Sequence, residues 1–120
     1  MKYSIDLGEG RFQVSLESVD MGSDLLVRIF NANAHIGAVA IGEYDFQHQR
    51  ASVSVVTRLG HKDDAIAQRA AYLICKTTKR TVCVAAGVHL DDIGQPEILK
   101  LMENATGIIE DFLKQLTSNQ

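Results

Sequence analysis

The chain has 120 residues, of which 46% are apolar and 22% charged, a composition typical of a folded globular protein and unlike that of a disordered one. Its formal net charge of -3 excludes the strongly basic surface with which proteins bind nucleic acid or an anionic membrane. The N-terminus lacks the apolar core of a signal peptide and no apolar run reaches the roughly 18 residues of a spanning helix, so we expect a cytoplasmic protein of one domain, residues 1–120.

Alternating apolar residues predict strands throughout the first half of the chain. Residues 11–19 and 24–31 are expected to form a hairpin, and residues 3–7 to add an edge strand. A third strand is expected over residues 35–44, which are rich in Gly and Ala, and a fourth over residues 51–58, where Val alternates with Ser.

In the second half the apolar spacing changes to that of helices. It predicts one helix over residues 62–79 and a second that begins near Pro96, separated by an apolar strand over residues 81–88. That strand reads as a central one covered on both faces. The element order predicts an α+β fold: a mostly antiparallel sheet of about five or six strands with a C-terminal β-α-β-α portion, its two helices packed on one face.

Two turns that contain histidine lead into these helices. The strands of a β-α-β unit are parallel, so the turns that follow them emerge at the same edge of the sheet, which is expected to bring His61 near His89. Free N–H groups at a helix N-terminus bind anions, and Arg58 and Lys62 add positive charge. This edge is therefore predicted to bind a phosphate or carboxylate group.

The acidic residues of the same turns have alternative interpretations. Asp63 and its neighbour Asp64 stand where side chains cap and charge the first turn of a helix. His89 and Asp91, completed by His61, are also donor types that bind a metal ion, although no helical H-x-x-x-H or Cys–His spacing is present.

Nucleophilic and nucleotide-binding motifs are absent from the sequence, which has no G-x-S-x-G, P-loop or G-x-G-x-x-G pattern. Cys75 and Cys83 fall inside a predicted helix and strand, where we expect reduced, buried thiols. The small residues that follow His35, notably Gly37 and Gly42, allow either a flat ligand or another subunit to approach the backbone, or a helix to pack tightly upon it.

Three segments together resemble the LpdD-like family of prenylated flavin chaperones. They are HIGAVA at residues 35–40, SVVTRLGHKDD at 54–64 and RTVCVAAGVHLD at 80–91. They occur in the family's order, whereas the first thirty residues match weakly and Asp92 stands where an amide is expected.

The resemblance implies a small accessory subunit of a UbiD-type decarboxylase, which uses prenylated FMN to act on aromatic acids. Such a subunit delivers or matures the cofactor and is not itself catalytic. The positions that match the family are His35, Gly60, His61, Lys62, Asp63, His89 and Asp91. With Gly37 and Arg58, whose roles follow from the strand and turn patterns, they are the predicted cofactor-binding residues. Because the chain is small for burying a whole flavin, a homo-oligomer with a shared site is expected.

Two other functions are compatible with the residues. One is a small metal-assisted hydrolase or phosphoryl-handling enzyme that uses His61, His89 and Asp91 as ligands or acid–base groups. The other is a structural subunit whose histidine-containing turns maintain an interface.

Overall fold

The computed structural model describes residues 2–59 and 63–118 as six strands, two α-helices and one short 3-10 helix. The strands are β1 (Lys2–Leu7), β2 (Val14–Met21), β3 (Asp24–Phe30), β4 (Ala38–Asp45), β5 (Arg50–Thr57) and β6 (Val82–Gly87). The helices are α1 (Asp64–Thr78) and α2 (Gln95–Ser118), and the 3-10 helix is Gly10–Phe12. The predicted α+β class is confirmed and every predicted strand and helix is present, except that the strand predicted from residue 11 begins at Val14 because Gly10–Phe12 form the 3-10 helix.

The strands form one mixed sheet in the order β1-β2-β3-β6-β4-β5. Only the β3–β6 pair is parallel, and the other neighbours are antiparallel. Since β5 and β6 both run antiparallel to β4, they are parallel to each other with β4 between them. The predicted β-α-β unit is therefore β5-α1-β6, and β6 lies in the middle of the sheet.

The hydrophobic core lies between one face of the sheet and the two helices. Alternate residues of β2, β3, β4 and β6 point into it and are buried, whereas their neighbours point away. From the helices the core receives Ile66, Ala70, Ile74, Leu101, Ala105, Ile108, Ile109 and Phe112. Each fully buried Leu, Ile or Phe stabilises the fold by about 1.5–3 kcal/mol relative to an exposed one.

Small residues on β4 let α1 approach closely. A Cβ atom at Gly42 would lie 2.8 Å from the carbonyl oxygen of Ala71 and 3.0 Å from the Cβ of Cys75, so only glycine fits there. The prediction of tight helix packing over Gly42 is confirmed, and the alternative of a flat ligand at this position is wrong because α1 covers it. Cys75 is a buried core thiol as predicted, and burial raises its pKa.

The opposite face of the sheet, called the open face below, has no helix on it within residues 2–59 and 63–118. Cys83 and Ala85 of β6 point to this face and are partly exposed, between Leu26 and Arg28 of β3 and Ile41 and Val39 of β4. The predictions that β6 is covered on both faces and that Cys83 is buried are therefore wrong for the single chain. No helix among the described residues is long and apolar enough to span a membrane.

Candidate ligand-binding site

One end of the sheet gathers most of the predicted site residues. Strands β3, β5 and β6 end there, and β4 begins there. Residues 31–37 connect β3 to β4 and must pass over the end of β6, which lies between them, a distance of two strand spacings or about 9.6 Å. We call residues 31–37 the crossover.

Gly87, the last residue of β6, allows the crossover to lie close to the strand. A Cβ atom at this position would overlap the carbonyl oxygen of His35 and lie 2.7 Å from its carbonyl carbon. The Gly37 N–H donates to the Ala86 carbonyl at 2.8 Å, which continues the β4–β6 pairing beyond the last strand residues. His35 is thus positioned through the main chain of β6.

Asp63 is a buried carboxylate between three elements, 7% exposed and at the N-cap position of α1. It makes no side-chain capping bond to the helix, so the prediction that it caps α1 in this way is wrong. Its Oδ1 instead accepts a hydrogen bond from the Val88 N–H at 3.4 Å. A Cβ atom at Gly37 would overlap its Oδ2, which shows how closely the carboxylate lies against the crossover.

Asn31 fixes the main chain of His89 through two hydrogen bonds. The sequence did not identify Asn31 as a site residue. Its side-chain amide donates to the His89 carbonyl at 2.6 Å, and its Oδ1 accepts from the His89 N–H at 2.9 Å. The residue is buried, 4% exposed, directly after β3. The sequence signal for this role was a polar residue directly after a mostly apolar strand.

His89 and Asp91 form a side-chain pair at the same edge. The Nε2 of His89 lies 2.9 Å from Oδ1 of Asp91, and both side chains are well exposed. The ring of His35 lies beside that of His89, with 6.1 Å between centroids and an angle of 33° between the planes. The structure therefore brings two histidines and one aspartate together where solvent reaches them.

Arg58 and the helix N-termini complete this edge. The guanidinium Nη1 of Arg58 donates to the Ile36 carbonyl at 2.8 Å, so its charge lies beside the crossover. The N-termini already contain acidic side chains: Asp64 lies in the first turn of α1, and Glu97 of α2 accepts from the Gly94 N–H at 3.2 Å. An anion bound here must therefore rely on side-chain cations as well as on helix N–H groups.

A groove of about 410 Å³ opens on the open face beneath the crossover. Ala85 and Gly87 lie along it, Arg28 and Phe30 of β3 line one side, and His35 and Ile36 belong to the crossover that borders it. The sequence predicted that small residues of β4 would form the surface for a flat ligand. The small residues that line the groove are instead on β6. Ala85 and Gly87 lie within the apolar run of residues 81–88, whose composition predicts core residues throughout.

Six of the nine predicted site residues are described, and they lie at this end of the sheet: His35, Gly37, Arg58, Asp63, His89 and Asp91. Gly60, His61 and Lys62 lie outside the described residues, and so does the predicted approach of His61 to His89. Among the described residues, no three His, Cys, Asp or Glu side chains are grouped so that they could hold a metal ion.

Replacing Asn31 with Ala is expected to destabilise the protein by about 1–3 kcal/mol, because it leaves the partly buried N–H and C=O of His89 without their partner. Urea unfolding at constant m-value measures the change. Asn33→Ala is a control on the same crossover, since Asn33 is exposed, although its positive φ of 64° adds a small backbone cost. Equal losses in the two variants would contradict the role of Asn31.

Comparison with known proteins gives one family and one fold. The family model described as "Prenylated flavin chaperone LpdD-like domain" matches residues 8–117. A chain in the structure titled "Crystal Structure of a Novel Chaperone Complex for Yeast 20S Proteasome Assembly" has a similar fold, with a TM-score of 0.62 and 15% sequence identity over 98% of this chain and 96% of that one. No curated protein matches the chain in sequence.

Proposed function

This chain belongs to the LpdD-like family of prenylated flavin chaperones, and from that membership we propose that it binds prenylated FMN, or FMN, and delivers it in the cytoplasm to a UbiD-type decarboxylase. The observation that carries the proposal is the groove beneath the crossover, at the end of the sheet that holds the family-matching residues His35, Asp63 and His89.

The groove suits the flat ring system of a flavin. Ligand sites of about 300–1,000 Å³ bury most of a drug-sized molecule, and this one has about 410 Å³. Ala85 offers a surface without a bulky side chain, and Phe30 adds an aromatic ring to the side. Isoalloxazine is flat and its dimethylbenzene side is apolar, so that side gains by leaving water in such a groove.

The polar residues at this end of the sheet suit the rest of the cofactor. In this proposal His35 and His89 donate hydrogen bonds to the polar atoms of the ligand, with His89 oriented by Asp91 and Asn31. Arg58 supplies positive charge for the phosphate, together with His61 and Lys62 from the neighbouring turn. Gly37 and Asp63 contact each other beside the crossover, and Gly60 is assigned to the site because its position matches the family.

A chaperone role needs a site that binds and releases its ligand without reacting with it. When it is bound to the decarboxylase, prenylated FMN supplies the chemistry on aromatic acids. In the single chain the histidines and Asp91 are exposed to solvent, so a cofactor that they hold there is accessible for transfer.

The test is a titration of the protein with FMN and with prenylated FMN, followed by flavin fluorescence and thermal unfolding. Ligand at 100 times its Kd stabilises a folded protein by about 2.7 kcal/mol. We expect this stabilisation with wild type, and a loss of at least ten-fold in affinity in His35→Ala, His89→Ala and Ala85→Leu, the last of which fills the groove.

His48→Ala is the matched control for the histidine variants. His48 lies in the β4–β5 turn at the opposite end of the sheet, where its Nδ1 is 2.8 Å from Asp45 Oδ2. Its loss is expected to leave flavin affinity unchanged. Absence of stabilisation of wild type by either flavin would refute the proposal.

The pairing of His89 with Asp91 also supports a second function, a metal-assisted hydrolase or phosphoryl-handling enzyme. This function depends on His61, because the described residues alone provide no group of three ligands. Titration with Zn²⁺ or Mn²⁺ separates the functions: tight binding by wild type that is lost in His89→Ala favours the enzyme.

A further inference from the structure

The centre of the open face is apolar, although nothing in the described chain covers it. Val56 is 71%, Ile41 45% and Val19 42% exposed. We call this surface the open-face patch, formed by Val19, Leu26, Val39, Ile41, Val56, Cys83 and Ala85. A sheet face that meets water normally alternates to polar residues. In the two central rows of outward positions across β2, β3, β6, β4 and β5, seven of ten residues are apolar instead, and the exceptions are Glu17, Arg28 and Ser54.

The sequence of β6 supports the same conclusion. Val82, Val84 and Ala86 point into the core and are fully buried, which accounts for half of the apolar run. Cys83 and Ala85, the alternate residues, are also apolar but lie on the open face. A central strand that is apolar on both sides is typical of a sheet covered on both faces.

The open face has the size of a stable dimer interface. Six strands at about 4.8 Å spacing span about 24 Å, and strands of six to eight residues at about 3.3 Å each are about 20–26 Å long. The flat area is then about 500–600 Å², and the accessible area of its side chains is larger. A standard interface buries about 800 Å² on each partner.

The charges on the open face favour a second copy over an oppositely charged protein. Arg28 lies beside the patch and is already neutralised, since its Nε donates to Glu17 Oε1 at 2.8 Å. A self-complementary contact brings the same patch of each copy together, so an uncompensated charge would be repelled by its own equivalent. The charged side chains that flank the patch on this face are of both signs, Arg28 with its partner Glu17 on one side and Glu43 with Arg50 on the other, so no single charge dominates the face.

From these observations we infer that two copies of this chain stack their open faces in a two-fold symmetric dimer, with the open-face patch at its centre. Ala85 belongs both to the patch and to the groove, and Arg28 lines the groove beside it. The second copy therefore lies over the open side of the groove and closes it. That the second copy closes a flavin site rests on the proposed function, whereas the inference of a dimer does not.

The first test measures the mass of the purified chain in solution by sedimentation over a range of concentrations, without flavin. Wild type is expected to have twice the 13.2 kDa of one chain. Ile41→Asp and Val56→Asp place two equivalent charges in the interface and are expected to raise the dimer Kd by about 100-fold or more. Leu99→Asp, at a 56% exposed position on α2, is expected to stay dimeric.

The second test uses unmodified wild type, so it does not depend on whether the variants fold. Cys83 is the partly exposed cysteine of the patch, whereas Cys75 is buried. A maleimide is expected to react with Cys83 at least ten times more slowly above the dimer Kd than at high dilution. Val56→Asp is expected to remove this protection, while circular dichroism shows the wild-type fold.

Each combination of results has a defined meaning. A monomer at every concentration, with a constant Cys83 reaction rate, overturns the inference and leaves the patch to another protein such as the decarboxylase. A dimer that binds no flavin keeps the inference and refutes the proposed function. A dimer in which Val56→Asp weakens both dimerisation and flavin binding, with Leu99→Asp unchanged, supports both.

Discussion

We expect Gly87→Ala to lower the free energy of unfolding by about 3 kcal/mol, near the upper limit for an overpacked site, with a fall in Tm of about 10 °C. The added Cβ meets the main chain of His35 and no flexible side chain could move out of its way. The crossover must therefore lift from β6, which breaks the bond from the Gly37 N–H to the Ala86 carbonyl. Thermal and urea unfolding measure the loss.

Gly94→Ala is the control for this substitution. A Cβ atom at Gly94 would have Pro96 Cδ, at 3.8 Å, as its nearest neighbour, and the backbone is not left-handed. We expect a change within about 0.5 kcal/mol, as at an ordinary surface position. An equally small loss of stability in Gly87→Ala would show that the crossover does not lie against β6 as described. The positions of His35 and of the groove would then be wrong as well.

The second large effect is expected from Gly37→Ala, because the new Cβ would overlap Asp63 Oδ2 and lie 2.8 Å from its Cγ. Displacing this buried carboxylate also costs its hydrogen bond from the Val88 N–H. We expect a loss of about 2–3 kcal/mol. Flavin affinity is expected to fall with it, because the carboxylate and the crossover move together.

A double-mutant cycle shows whether Asp63 is the cause. Asp63→Ala removes the overlapping atoms, so Gly37→Ala is expected to cost at least 1 kcal/mol less in that background, within the roughly 0.5–3 kcal/mol seen for contacting residues. Asp63→Asn keeps the size of the side chain and is expected to give no such relief. Additive losses in the Asp63→Ala cycle would contradict a direct contact.

The sequence predicted the elements well because apolar spacing reports which residues share a face. It correctly predicted the β-α-β unit and hence the common edge of Arg58 and His89. It did not predict that β6 lies between β3 and β4, since a periodicity contains no information about which strands are neighbours. The positions of the crossover and of His35 depend on that order of strands, so they could not be predicted from the sequence.

The finer details of the site depend on individual contacts. Asp63 occupies a capping position, yet its carboxylate is directed at Gly37 and Val88, a choice that only the packed structure determines. Asn31 contacts a residue far along the chain, so no local pattern reveals its role. The role of Ala85, the small residue of β6 on the open face, was not predicted because one apolar run contains both the core-facing and the open-face residues.

The central position of β6 also has a consequence for folding. Residues 2–30 form one antiparallel unit and residues 38–57 another, and neither pairs with the other except through β6. Until residues 82–87 insert, β3 and β4 each present an unpaired strand edge of the kind that promotes aggregation. The late insertion of β6 has a high loop-closure cost, because its partners in β3 lie more than fifty residues earlier. Folding of this small protein is therefore expected to be limited by the step that joins its two halves.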